Sequence, residues 1–355
     1  QITTTEGSPD AQMSIRVRGG GSITQSNEPL FIVDGFPVES ISDIPPTDIE
    51  SIDVLKDASS TAIYGARGAN GVIIVTTKSG KEGKVSVSYN AYYAWKKVAK
   101  TLDVLSASDY TKWQYELAQL TNKNDDYIKY FGNYQDLDMY DNVATNDWQD
   151  LTFGRTGHSF NHNLSINGGS DKFKYSFSYS HIDDKAIMQM SDYARDNLNL
   201  KLNHKPLKNV SLDFSARFSK TKINGGGSND ANSSLNTDKR LKYSLLYTPY
   251  PVPGISDALN ADEEDANSLL INPLISLRDN DTRKERINYN LAGSITWEII
   301  KDLKLKAEVG YDDYRNNADR YYGVTTYYVR NNVDDEDKSK PAISFTRGTR
   351  TAFRS

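Results

Sequence analysis

Seven segments of this chain alternate apolar with polar side chains, and none contains a long apolar run. The clearest is Val85 to Trp95, where every odd position is apolar or aromatic and most even ones are small or polar. Side chains on a strand point alternately to opposite faces, so one face of such a strand meets an apolar medium and the other meets water. The same rhythm recurs at Phe160, His162, Leu164, Ile166; at Phe173, Tyr175, Phe177, Tyr179; at Leu198, Leu200, Leu202; and at Val210, Leu212, Phe214, Ala216, Phe218. It closes with Ile287 to Trp297 and Leu303 to Tyr311. The intervening positions include Lys172, Lys174, Lys201, Asp213, Arg217, Lys304, Lys306 and Glu308. One such strand could belong to a soluble sandwich. Seven in a row, each near the length that crosses a bilayer, predict a closed membrane barrel with a wet lumen.

Composition agrees once the wet lumen is counted. The mean hydropathy of −0.64 looks soluble, but half of each barrel strand faces water. No run of about 18 apolar residues offers a transmembrane helix. Tyrosine, at 23 residues, outnumbers Phe and Trp together and suits a membrane–water boundary, having an apolar ring and a polar tip. The absence of cysteine excludes disulfides, thiolate metal sites and cysteine nucleophiles, and a net charge of −5 argues against a nucleic-acid partner. The chain reads as a fragment of a longer one.

Residues 1–80 differ from the rest. Strands are predicted at Ser14 to Arg18, Leu30 to Val33, Ser51 to Leu55 and Gly71 to Thr77, the last apolar on both faces and hence buried. Asp34-Gly35 is a tight-turn dipeptide leading to Phe36-Pro37-Val38. Pro45-Pro46 starts a helical turn, and Asp57 is placed to cap a short helix over Ala58 to Tyr64 that Gly65 ends. This is a small α/β unit, joined by a linker at 79–83 to a β region spanning 84–355.

Connections in the β region alternate in length. Tight turns fall at Gly168 to Asp171, Lys205 to Lys208 and Lys301-Asp302, between long loops at roughly 97–157, 185–192, 220–284 and 313–344. Short periplasmic turns and long outer loops are the barrel pattern, which sets the first strand running outward, with Tyr93 and Trp95 at the outer interface and Trp297 at the periplasmic one. The first loop holds a helix that Ser106 and Asp109 cap, with Tyr110, Trp113, Leu117 and Leu120 on one stripe expected to pack.

Candidate chemistry is sparse. The acidic runs at 262–265 and 334–337 lack the glycine and ligand spacing of an EF-hand and read as solvated loops. His162, His181 and His204 fall on the apolar-side parity, where interface placement explains them without a metal. No metal, cofactor or catalytic arrangement stands out, so enzymatic chemistry has no support. Arg16 and Arg18 leave one face of a strand in the small domain. They are either surface charge or ion-pair partners for wall carboxylates such as Asp213 or Glu308.

Two stretches carry a family likeness. Ser14 to Gly19 with Glu28 to Gly35 resembles the plug of TonB-dependent outer-membrane transporters. The run from Asp48 to Lys78, followed by Leu102-Asp103-Val104-Leu105 and Asp109-Tyr110, closely resembles the SusC/RagA branch of that family in Bacteroidota. The resemblance implies a transmembrane antiparallel β-barrel of about 22 strands, of which about seven to eight are present, with an N-terminal α/β plug. It implies import of oligosaccharides or peptides across the outer membrane, energised by the TonB-ExbB-ExbD complex, with a SusD-like surface lipoprotein over the barrel. Cargo would bind between the outer loops and the top of the plug, where Trp113, Tyr247, Tyr250, Tyr321 and Tyr322 could stack on sugars, although packing is the commoner use of such rings. Signalling of ligand occupancy and surface adhesion are the alternatives; an adhesin needs no movable stopper.

Overall fold

The computed structural model describes residues 2–4, 13–15, 17, 28–38, 40–57, 62–225, 240–253, 255, 271–326, 328–329 and 340–354. Arg16, Arg18 and the acidic runs at 262–265 and 334–337 lie outside them. In chain order the strands are β1 (Ile2–Thr4), β2 (Met13–Ile15), β3 (Leu30–Val33), β4 (Phe36–Val38), β5 (Ile49–Leu55), β6 (Val72–Thr77) and β7 (Gly83–Lys96). They continue as β8 (Gly157–Gly169), β9 (Phe173–Lys185), β10 (Asp192–Leu207), β11 (Val210–Asn224), β12 (Thr282–Ile300), β13 (Leu303–Tyr322) and β14 (Ala342–Arg354).

The small domain is a four-stranded mixed sheet in the order β4-β3-β6-β5, with β3 and β6 parallel. Phe31, Val33, Ile73 and Val75 form its buried core. Asp34 (φ 51°) and Gly35 (φ 89°) both adopt positive φ, the geometry that joins two strands through a two-residue turn matched to their twist. Pro46–Asp48 is a single 3₁₀ turn. The helix expected over Ala58 to Tyr64 is replaced, in its described part, by a 3₁₀ segment at Ala62–Gly68. Gly65 kinks this segment (φ 59°, ψ −149°) rather than ending it, so the stop moves to Gly68.

Strands β7 to β14 form one antiparallel meander in sequence order. Its burial is inverted relative to a soluble sheet. The polar side chains Ser176, Ser178, Ser180, Asn197 and Asn199 are buried, whereas Phe214, Leu291, Ile295, Trp297 and Leu305 are exposed. Register carries the same facing across to β7. Val87, Tyr89 and Tyr93 pair with Ile166, Leu164 and Phe160 on the exposed apolar face. The apolar face thus looks outward, and the polar face looks toward the small domain.

The outer apolar band is oblique to the hydrogen-bonded rows. Trp95 ends it on β7, paired through His158 to the level of Lys185 on β9. Tyr311 ends it on β13, paired through Leu291, Ala216 and Leu200 to the level of Phe177, eight residues lower on β9. A level membrane crossed by tilted strands produces this offset.

The strands are longer than the alternation indicates. The β11–β12 loop narrows to 225–281 and the β13–β14 loop to 323–341, so Tyr321 and Tyr322 belong to the end of β13. Backbone pairing, which needs no apolar face, continues beyond the apolar band. The helix at Ala107–Thr121 is capped by Ser106, whose Oγ accepts from the Asp109 amide at 3.1 Å. Its buried side is Ala107, Tyr110, Thr111 and Ala118. Trp113, Leu117 and Leu120 are exposed, against expectation, because the neighbouring segments cover the opposite face.

Candidate functional site

The site is the seam where the small domain meets the polar face of the wall. The β3–β4 turn projects Asp34 against β10 and β11, whose inward parity places Lys201 and Arg217 there. Lys201 Nζ donates to Asp34 Oδ1 at 2.7 Å and to the Thr77 carbonyl at 2.8 Å. Arg217 Nη1 lies 3.4 Å from Asp34 Oδ2. The same carboxylate accepts from the Thr77 amide (2.9 Å) and hydroxyl (2.8 Å), which fixes the turn to the end of β6. Both cations and the acid are largely buried, so the group is desolvated and also well hydrogen-bonded.

Contacts continue along the seam. Ser178 on β9 donates to Asp48 Oδ2 at 2.6 Å, and Arg195 on β10 donates to the Ser42 carbonyl at 2.5 Å. Burial pushes the Asp48 carboxyl above its ordinary range, opposed by Ser178 and by the neighbouring Asn163, Lys78 and Asn199. Within the wall, Arg217 reaches Asn290 (2.8 Å), Asn290 reaches Asp312 (3.3 Å) and Arg350 reaches Asp312 (3.2 Å).

Among the described residues, the ion pairs of the seam join an acid of the inner domain to cations of the wall, and the pairing expected of Arg16 and Arg18 lies outside them. Asp213, expected from the sequence as a wall partner for arginine, accepts from Asn203 (2.5 Å) and Ser294 (3.4 Å). Glu308 pairs with Lys306 on its own strand. The sequence already placed Lys201 and Arg217 on the wet face. Asp34 escaped notice because an Asp-Gly turn explains it without any partner.

The outer loops form a second assembly. Tyr250 and Val252, from the β11–β12 loop, enter the core of Tyr110, Tyr127 and Phe131 in the β7–β8 loop. Thr111 Oγ1 and the Tyr250 hydroxyl are 2.5 Å apart, and Trp148 Nε1 donates to the Thr248 carbonyl at 2.8 Å. Burial pushes the Tyr127 phenol up to about 12. Of the five candidate stacking rings, Tyr247 and Tyr250 are buried. Trp113 stands exposed, Tyr321 lies on the outward parity of β13, and Tyr322 lies on its inward parity, stacked on Tyr328 at 4.3 Å.

Comparison with known proteins places this geometry. The TonB-dependent Receptor Plug Domain family matches residues 1–72. The TonB-dependent receptor SusC of Bacteroides thetaiotaomicron is 39% identical over 204 residues, covering 55% of this chain and 19% of that protein. The TonB-dependent receptor P3 of Formosa agariphila is 30% identical over 331 residues, covering 90% of this chain and 30% of that protein. The chain thus spans less than a third of these relatives. A solved structure of the RagAB peptide transporter superposes with a TM-score of 0.70 at 25% identity, over 91% of this chain and 38% of that one.

Proposed function

For a chain that belongs to the SusC/RagA type of TonB-dependent receptors, we propose that the full-length protein is an outer-membrane importer of a nutrient, an oligosaccharide or a peptide. The TonB-ExbB-ExbD complex energises it, and a SusD-like lipoprotein covers its outer face. Peptide cargo has support in the neighbour whose structure is described as a peptide transporter, and the oligosaccharide alternative rests on the sequence resemblance. Trp113 and Tyr322, whose rings are not part of the loop core, are the proposed aromatic contacts for cargo.

One observation carries the reading. The inner domain has its own apolar core, and ion pairs and hydrogen bonds join it to the wall, beside the apolar contact of the Phe36 ring with Gly310. A permanent core element would be joined by apolar packing. A polar seam can exchange its partners for water, so the domain can be held shut and later moved.

The test uses the full-length protein from native outer membranes. Mass spectrometry of co-purified material is expected to find a lipoprotein and a bound glycan or peptide, and uptake of that cargo is expected to stop without TonB. Cargo uptake that persists without TonB would overturn the proposal.

A further inference from the structure

We propose that the Asp34-Gly35-Phe36 turn is the anchor that keeps the inner domain closed, and that cargo passes along the flank of this turn once the anchor releases. The inference rests on the import reading and names the contact and the route within it.

Three consecutive residues each contribute. Asp34 takes both buried wall cations, Lys201 and Arg217. Gly35, at φ 89°, permits the tight reversal that brings its neighbours to the wall. Phe36 seats its ring against Gly310 of β13, where a Cβ would stand 2.7 Å from Phe36 Cε1 and 2.8 Å from Cδ1. Any side chain at 310 would therefore displace the ring. One turn thus spans β10, β11 and β13, by charge at one end and by shape at the other. The other contacts of the seam differ in kind: Ser178 on Asp48 brings no charge from the wall, and Arg195 meets a backbone carbonyl.

The route follows from what lies beside the turn. A cavity of about 470 Å³ is bounded by Asp34 and Phe36 on one side and by Lys201, Asp213, Ser215 and Glu308 on the other. It also touches Ser79 and Gly80, at the start of the linker, and Lys205, near the short β10–β11 turn. It therefore lies toward the short-turn end of the wall, the periplasmic side. Retraction of the turn would extend this space outward along β10 to β13. A polar cavity of this size holds water, so the passage begins as a hydrated recess closed at its outer end by the anchor.

The experiment measures the full-length protein in planar bilayers and in cells. Asp34→Asn removes the charge, and Gly310→Ala removes the notch with the smallest possible side chain. Asp171→Asn, in the exposed short turn between β8 and β9 and away from the seam, is the control. Ion conductance without TonB is expected to rise about tenfold or more in both anchor variants, because removing one partner of a buried charge pair is strongly destabilising and a Cβ at 310 displaces the Phe36 ring. In the same variants, the thiol of an added Ser215→Cys substitution is expected to react faster with a water-soluble maleimide. Heat-modifiable mobility confirms the folded barrel, and should one variant fail to fold, the other still decides. Unchanged conductance and labelling in a folded anchor variant, or an equal rise in Asp171→Asn, would overturn the anchor. Energised cargo uptake by the parent protein separates the two ideas. Uptake with unchanged conductance leaves import standing and removes the anchor, whereas raised conductance without energised uptake does the reverse.

Discussion

Tyr250 decides whether the outer-loop aromatic cluster is a core or a cargo shelf. The residue is 5% exposed, its ring lies edge-on to Tyr110 at 6.1 Å, and its hydroxyl is 2.5 Å from Thr111 Oγ1. Truncating a buried aromatic to alanine costs about 3–5 kcal/mol. Tyr250→Ala should therefore raise the opening equilibrium of the loop assembly by roughly 10²- to 10⁴-fold. Tyr250→Phe keeps the ring and loses one hydrogen bond. Thr111 still donates to the Ala107 carbonyl at 2.9 Å, so the cost should fall at the low end of about 0.5–1.5 kcal/mol. Hydrogen exchange over residues 107–131 of the full-length protein reads both. Fast exchange is expected in Tyr250→Ala and near-parental exchange in Tyr250→Phe. Parental protection in Tyr250→Ala together with lost cargo binding would refute the packing argument and return the ring to the ligand.

Other predictions test separate steps. Leu200→Arg, in the middle of the outer apolar face of β10, should destabilise the full-length barrel by about 2–4 kcal/mol, read from heat-modifiable mobility in lipid. A neutral result would reverse the assignment of faces. Gly35→Ala should weaken the β3–β4 turn by about 1–2 kcal/mol, since φ is 89° there while an added Cβ meets no atom within 4 Å. The loss should be seen as earlier proteolysis of residues 28–78, and equal resistance would show that the turn is not strained. Burial raises the folded-state pKa of Asp48 above its unfolded value, so its favourable contribution is complete below the ordinary carboxylate pKa and is lost as pH rises through the raised value. Inner-domain protection should therefore increase as pH falls toward the ordinary range, and Asp48→Asn should flatten that dependence. An unchanged slope in the variant would assign the effect elsewhere.

Alternation read the wall correctly wherever a strand crosses the apolar band, and it failed where pairing continues above it. The strand β14 shows why. It pairs with β13 only from Gly310 to Tyr322, above most of the apolar stretch Leu303 to Tyr311. Its outward positions therefore include Arg347, Thr349 and Thr351, and the two-faced signal disappears although the hydrogen bonds do not. The helix stripe failed for another reason. Period identifies which residues share a face, but not which face is covered. Neighbouring segments and a second loop cover the Tyr110 and Ala118 side and leave Leu120 bare. Asp34 illustrates a third limit. Turn chemistry accounts for the residue locally, and its ionic role depends on cations 167 and 183 positions away.

The sign of the seam has a physical reading that the sequence could not supply. Lys201 and Arg217 stand on inward positions of neighbouring wall strands, flanked by outward Leu200, Leu202, Ala216 and Phe218. Two cations side by side in a partly dehydrated lumen repel one another unless an anion lies between them. The inward positions paired with the two cations are Ser215 and Asn199, neither an anion, while the wall's Asp213 lies one inward position beyond Ser215 and Asp312 acts on Arg217 from β13. Asp34 supplies the anion between them from outside the wall. The inner domain thus supplies the carboxylate that bridges the two cations. Removing it breaks the ion pairs but lets the charges rehydrate, and the two effects largely offset, since buried ion pairs gain little net stability over their hydrated forms. A small net difference between the paired and hydrated states is what a stopper requires if it is to be firmly placed at rest and still released by a pull.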